Sequence, residues 1–264
     1  MTARRFFLVL CLLATPALAD DPAWVTATAL VRTADADVQK SGLAGIGSHI
    51  PELEKAMSDG AADFPPSPGA DGKAIVLVDG PAEALLALAA AANKHQDTVA
   101  HPSPYPEIGL LLALYYNETK KPEEALRALE ATFKLKAVTG AFVGLHDASL
   151  LTEQAASYDS LKRWSDALAS ADAALKASQN DRDKARSHRS RGFNLTELGR
   201  LDDAVTAYQE SLKLEPNNAV AQRELAYIAR LKAGGPSAPP QIFSPGAGPA
   251  PPQPTPAAPT PPPI

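Results

Sequence analysis

Between residues 185 and 218 the apolar positions fall into two runs of helical spacing, divided at Gly199-Arg200. In the first run Leu195 and Leu198 share a face, and Gly192 stands where a second helix could approach closely. In the second, Ala204, Tyr208, Ser211 and Leu212 fall at i, i+4, i+7 and i+8, a stripe that must be buried against a neighbour. Pro216 ends this run, because its ring clashes with the preceding turn and it has no N–H to continue the ladder. The pattern predicts a helical hairpin.

The same pattern occurs twice earlier in the chain. Lys162-Arg163-Trp164-Ser165-Asp166-Ala167-Leu168 aligns with Gly199-Arg200-Leu201-Asp202-Asp203-Ala204-Val205. Leu151, Ala155 and Tyr158 lie before that turn, and Ala167, Ala171, Ala174 and Leu175 after it. Lys120-Lys121-Pro122-Glu123-Glu124-Ala125-Leu126 plays the same part, with Leu112, Ala113 and Tyr116 before it and Leu129 and Phe133 after it. The extra residues of the longer periods fall in the connections 179–184 and 138–147. A last amphipathic stretch, Ala219 to Lys232, is expected to turn Leu225, Ala226, Ile228 and Ala229 inward and Arg223, Glu224, Arg230 and Lys232 outward, closing an open array.

Gly192, Leu195, Gly199, Ala204, Tyr208, Leu212 and Pro216 stand at the spacing of the tetratricopeptide repeat, and the segment resembles that family; His188 replaces its usual early aromatic residue. The resemblance implies an all-α superhelix of about three hairpins plus a terminal helix over residues 105–233. It also implies a concave face lined by the first helix of each hairpin, which grips a protein or peptide. Carried over position by position, that face comprises Leu110, Leu114 and Asn117, then Thr152, Ala156 and Asp159, then Arg186, Arg189, Phe193 and Thr196, with Arg223 and Tyr227 from the last helix. Arginines beside aromatic rings suit carboxylates, so an acidic or C-terminal segment is the expected guest. Leu110 occupies the first basic slot of the clamp some family members use for chaperone tails, so that clamp is not reproduced.

Residues 20–104 lie outside the resemblance and are read as a mostly helical cap with a short β element. Helices are expected at 22–40, 51–58 and 81–94, a strand at 73–78, and a partner strand at 98–100. This region is expected to pack on the first hairpin. Residues 234–264 contain thirteen prolines and no charge, a composition that forbids helix or sheet interior and predicts a disordered, extended tail.

Residues 1–19 carry Arg4 and Arg5, an apolar run from Phe6 to Leu13, and Ala17-Leu18-Ala19, the three parts of a cleavable export signal. Export without an anchor predicts the periplasm, with secretion second. Cys11 is the sole cysteine and would leave with the signal, so neither disulfide nor thiolate chemistry is expected. Removing the two arginines takes the net charge from −5 to −7, which disfavours nucleic acid as a partner. The five histidines include no helical metal pair, and His95, Asp97 and His101 read as scattered loop residues. Gly45-Ile46-Gly47-Ser48 and Gly69 to Lys73 match neither a dinucleotide nor a phosphate loop. No enzyme, cofactor or metal is expected. The function predicted is a periplasmic interaction scaffold, or alternatively an envelope assembly factor tethered through its tail.

Overall fold

The computed structural model describes residues 21–136 and 142–235. The expected leader, all but the first two residues of the expected tail, and part of the 138–147 connection lie outside the described residues. The elements are α1 (Ala23–Ser41), a 3-10 stretch (Gly42–His49), α2 (Ile50–Ala62), β1 (Ala74–Val78), α3 (Pro81–Asn93) and β2 (Thr98–Pro102). There follow α4 (Tyr105–Glu118), α5 (Pro122–Lys134), α6 (Asp147–Ser160), α7 (Trp164–Ala177), α8 (Asp181–Glu197), α9 (Leu201–Leu214) and α10 (Ala219–Lys232).

The three aligned turns have one backbone. Lys120, Lys162 and Gly199 all take the left-handed conformation, with φ of 59°, 57° and 74°. The next amide then reaches back five residues in each case: Lys121 N–H to the Tyr116 carbonyl at 2.8 Å, Arg163 to Tyr158 at 2.9 Å, and Arg200 to Leu195 at 2.8 Å. This closure satisfies a carbonyl that the helix end would otherwise orphan. Acidic residues then open the second helices, where the positive helix end favours them: Glu123 and Glu124, Asp166, Asp202 and Asp203. Gly192 fits its expected part, since a Cβ there would lie 2.8 Å from the Tyr208 ring.

Each hairpin packs on the one before it. α6 lies against α4 and α5, α8 against α6 and α7, and α10 against α8 and α9. The same relation holds one step earlier, where α4 lies against α1 and α2. The pair α1–α2 thus occupies the place of a preceding hairpin, joined by the 3-10 stretch instead of the tight turn. One core unites it with the first repeat: Val31, Ile46, Leu53 and Met57 are buried with Tyr105, Ile108, Leu112 and Ala125. α2 is longer than the expected 51–58, and the 3-10 stretch has no counterpart in the sequence reading, because Gly42 closes α1 without releasing the chain into a loop. On α10 the buried residues are Ala221 and Ile228, while Ala226 and Ala229, expected inward, face solvent. Only one edge of that helix meets α8 and α9.

Between α2 and α4 the chain inserts a β1–α3–β2 unit. Its strands are parallel, in register from Ala74 opposite Thr98 to Val78 opposite Pro102. Parallel neighbours need a crossover, and α3 supplies it. Leu77 anchors the unit in the shared core.

The left-handed turn yields a prediction. A side chain at positive φ costs about 1 kcal/mol that glycine avoids. Lys162 is exposed, so Lys162→Gly is expected to raise stability by roughly 0.5–1 kcal/mol in urea unfolding, and Gly199→Lys to lower it by a similar amount. The Gly199 change tests backbone alone, since nothing lies within 4 Å of its Cβ position. A destabilised Lys162→Gly would refute this account of the turn.

Candidate functional site

The first helices α4, α6 and α8 stand side by side, and a carboxylate at their centre joins them. Glu153 on α6 is 1% exposed. One of its oxygens accepts from Arg186 Nη2 on α8 at 2.6 Å, and the other from Asn117 Nδ2 on α4 at 3.0 Å. The same amide group donates to the Glu153 carbonyl at 3.1 Å, and Asn117 Oδ1 accepts from Ser157 Oγ at 2.8 Å. A charge taken out of water needs such partners, and removing one of them costs about 3–5 kcal/mol. Asn117 and Arg186, selected from the sequence as groove residues, are therefore brought together through a residue the sequence reading passed over. The geometry differs from the picture of an arginine held open for a guest, because Arg186 already has its carboxylate.

Arg189 is turned toward its own hairpin. Its Nη1 donates to Glu215 Oε2 at 2.5 Å and to Ser211 Oγ at 3.2 Å. Glu215 also accepts from Asn218 Nδ2 at 3.0 Å, and Asn218 Oδ1 caps α10 by accepting from Ala221 N–H at 3.1 Å. Arg189 thus positions the terminal helix. Phe193 is buried, edge-to-face on Trp164 of the preceding hairpin with ring centroids 6.0 Å apart. Thr152, Ala156 and Thr196 are also buried, because α8 lies directly across α6. Leu110 and Leu114 are half-buried on α4. Arg223 is exposed on α10, and Tyr227 is half-buried with the Arg230 guanidinium 5.8 Å from its ring.

Asp159, near the end of α6, is 1% exposed, and neither carboxyl oxygen has a protein hydrogen-bond partner. Burial pushes its pKa up to about 8, the Asn194 amide offsets part of this, and the Glu197 charge adds to it. At neutral pH the group is therefore largely the protonated acid, a donor, and Asn194 Oδ1 beside it is an acceptor without a partner.

A second polar cluster ties the inserted unit to the array. His146 Nδ1 lies 2.7 Å from Asp79 Oδ1, and His146 N–H donates to Asp79 Oδ2 at 2.9 Å. Lys136 Nζ donates to both oxygens of Asp147 at 2.6 and 2.7 Å and lies 3.5 Å from Glu83. Burial opposes charge on Asp79 and on His146, but their contact outweighs it, lowering the Asp79 pKa and raising that of His146. Glu107, pushed to about 7 by burial and by Asp35, faces the same pair. Nothing in the pattern along the chain marked this cluster, which joins residues about seventy apart. The other histidines do not converge on it: His101 stacks on Trp24, centroids 5.0 Å apart, and His95 sits in the left-handed turn after α3. Among the described residues no three His, Cys, Asp or Glu side chains are placed to hold a metal ion. No described helix is long and apolar enough to cross a membrane.

Residues 185–218 match the tetratricopeptide repeat family. α4–α5 and α6–α7 repeat the turn and the packing of that segment. The class defined by this fold is a stack of helical hairpins. No curated protein matches the chain. Among solved structures it is similar to the first TPR domain of the human RPAP3 protein, solved by NMR, at 25% identity and a TM-score of 0.42, over 49% of this chain and 95% of that one.

The protonated Asp159 gives stability a pH dependence of known sign. Its folded pKa, about 8, exceeds the ordinary 3.8, so the folded state holds the proton more tightly. Its contribution is fully present below about pH 4 and is lost as pH rises to about 8. Asp159→Asn keeps the shape without the charge and is expected to flatten that slope, with a gain on the order of a few kcal/mol at pH 8. Unfolding midpoints at pH 5 and pH 8 measure it; equal slopes in both proteins would refute the assignment.

Proposed function

We propose that this protein is a periplasmic scaffold that holds an acidic or C-terminal segment of a partner protein along its inner helices. The observation that carries the reading is the Asn117–Glu153–Arg186 bridge, which fixes three successive first helices relative to one another. A surface ordered before its partner arrives loses little conformational entropy on binding. On the same row of helices Leu114 is half-buried on α4 and Arg186 keeps an accessible edge on α8, and α10 adds the half-buried Tyr227 and the exposed Arg223. The export-type leader supports the compartment, and the repeat class supports a protein or peptide as the guest.

Charge reversal at Arg186 or Arg189 would perturb folding before it reported on binding, since each has a structural carboxylate. Arg223 is the cleaner probe. A photoreactive residue replacing Leu114 is expected to capture one dominant envelope protein in intact cells, and Arg223→Glu to reduce that capture severalfold. Glu210, on the second helix of the last hairpin, serves as the control position. Capture at Leu114 no greater than at Glu210, or unchanged by Arg223→Glu, would overturn the groove reading.

A further inference from the structure

Four of the five exposed large apolar side chains among the described residues lie on or against α3, while the fifth, Phe142, packs edge-on against Phe133 of α5 with ring centroids 5.6 Å apart. Leu85, Leu86 and Leu88 on α3 are 71%, 43% and 38% exposed, and Leu145 and Phe142 on the neighbouring connection are 59% and 36% exposed. Leu145 lies over Gly80 at the start of α3, where a Cβ would sit 2.6 Å from its Cγ. This is not how a surface helix is ordinarily built: Glu83, Ala87 and Ala91 face the strands, and the opposite face is again leucine and alanine. α3 contacts β1 and β2 and none of the other helices, so the apolar face lies outside the row formed by α4, α6 and α8.

We propose that this face is a two-fold interface between copies of the chain, with α3 packed antiparallel against α3 of a second copy. Charge selects the occupant. From Ala84 to Asn93 the helix carries no ionisable residue, so a charged guest would gain nothing there. The chain as a whole is acidic, and copies repel each other over most of their surface; a neutral apolar face is where they can meet. A two-fold axis across α3 also sets the helix dipoles antiparallel. Area agrees: Leu85, Leu86, Leu88 and Leu145, with the exposed Ala89, Ala90 and Ala92, present roughly 500 Å² per copy, so the pair would bury on the order of 1,000 Å², the floor for a specific interface. Leu85 and Ala89 lie along the middle of the face, where leucine of one copy can seat over alanine of the other.

Sedimentation of the protein across the micromolar range tests this directly. A concentration-dependent doubling of mass is expected, abolished by Leu85→Glu and by Leu88→Glu with helix content unchanged in circular dichroism. Both side chains are exposed, so neither change disturbs the core of the monomer. A wild-type chain that stays monomeric throughout, a dimer that survives both substitutions, or growth beyond the dimer would overturn the proposal.

Discussion

A carboxylate cannot be held in a protein interior unless its lost hydration is replaced. Glu153 is nearly inaccessible, and what replaces its water comes from two neighbouring hairpins, an amide from one side and a guanidinium from the other. Apolar stripes alone fix that hairpins stack, but such packing tolerates sliding. A charge whose partners must each stand within hydrogen-bond distance does not. The register of α4, α6 and α8, and with it the shape of the surface they form, therefore depends on this one side chain. Arg189, Glu215 and Asn218 do the same for the last helix at lower stakes, since that chain of contacts is only partly buried.

The hairpins were legible because their signals are local. Apolar spacing, a left-handed turn position and an acidic residue opening the next helix all lie within one repeat, and Lys120, Lys162 and Gly199 occupy the same turn conformation. The strands and α3 were legible for the same reason. What the sequence hid is pairing across repeats. Arg186 and Glu153 are a whole repeat apart, and along the chain Glu153 looks like any polar residue on a helix. Its burial arises only when α8 is laid across α6. Phe193 shows the same effect, meeting Trp164 in the hairpin before it. Positions carried over by resemblance lie on α4, α6, α8 and α10, but several of them sit in the seams between hairpins. The pair α1–α2 was hidden differently, because its connection lacks the turn that marks a repeat.

At the other end of the array the polar cluster around Asp79 and His146 joins units that share few other contacts. Lys136, Asp147 and Glu83 form its buried half, while His146 and Glu107 form the half that water can reach. The inserted unit is therefore held by apolar contacts, Leu77 and Ile75 in the shared core and His101 on Trp24, and by a set of charges, a mixture that fixes direction as well as contact.

The place of that insertion has a consequence for how such a fold can grow. The connection from α2 to α4 is several times longer than the one from α5 to α6, yet both deliver the next hairpin to the same kind of seat. Closing a chain loop costs entropy only as the logarithm of its length, so a connection three to four times longer adds about 1 kcal/mol. Junctions between hairpins are therefore cheap sites of ancestry: a strand-bearing unit can be acquired there, and lost again, while the stack on either side keeps its geometry.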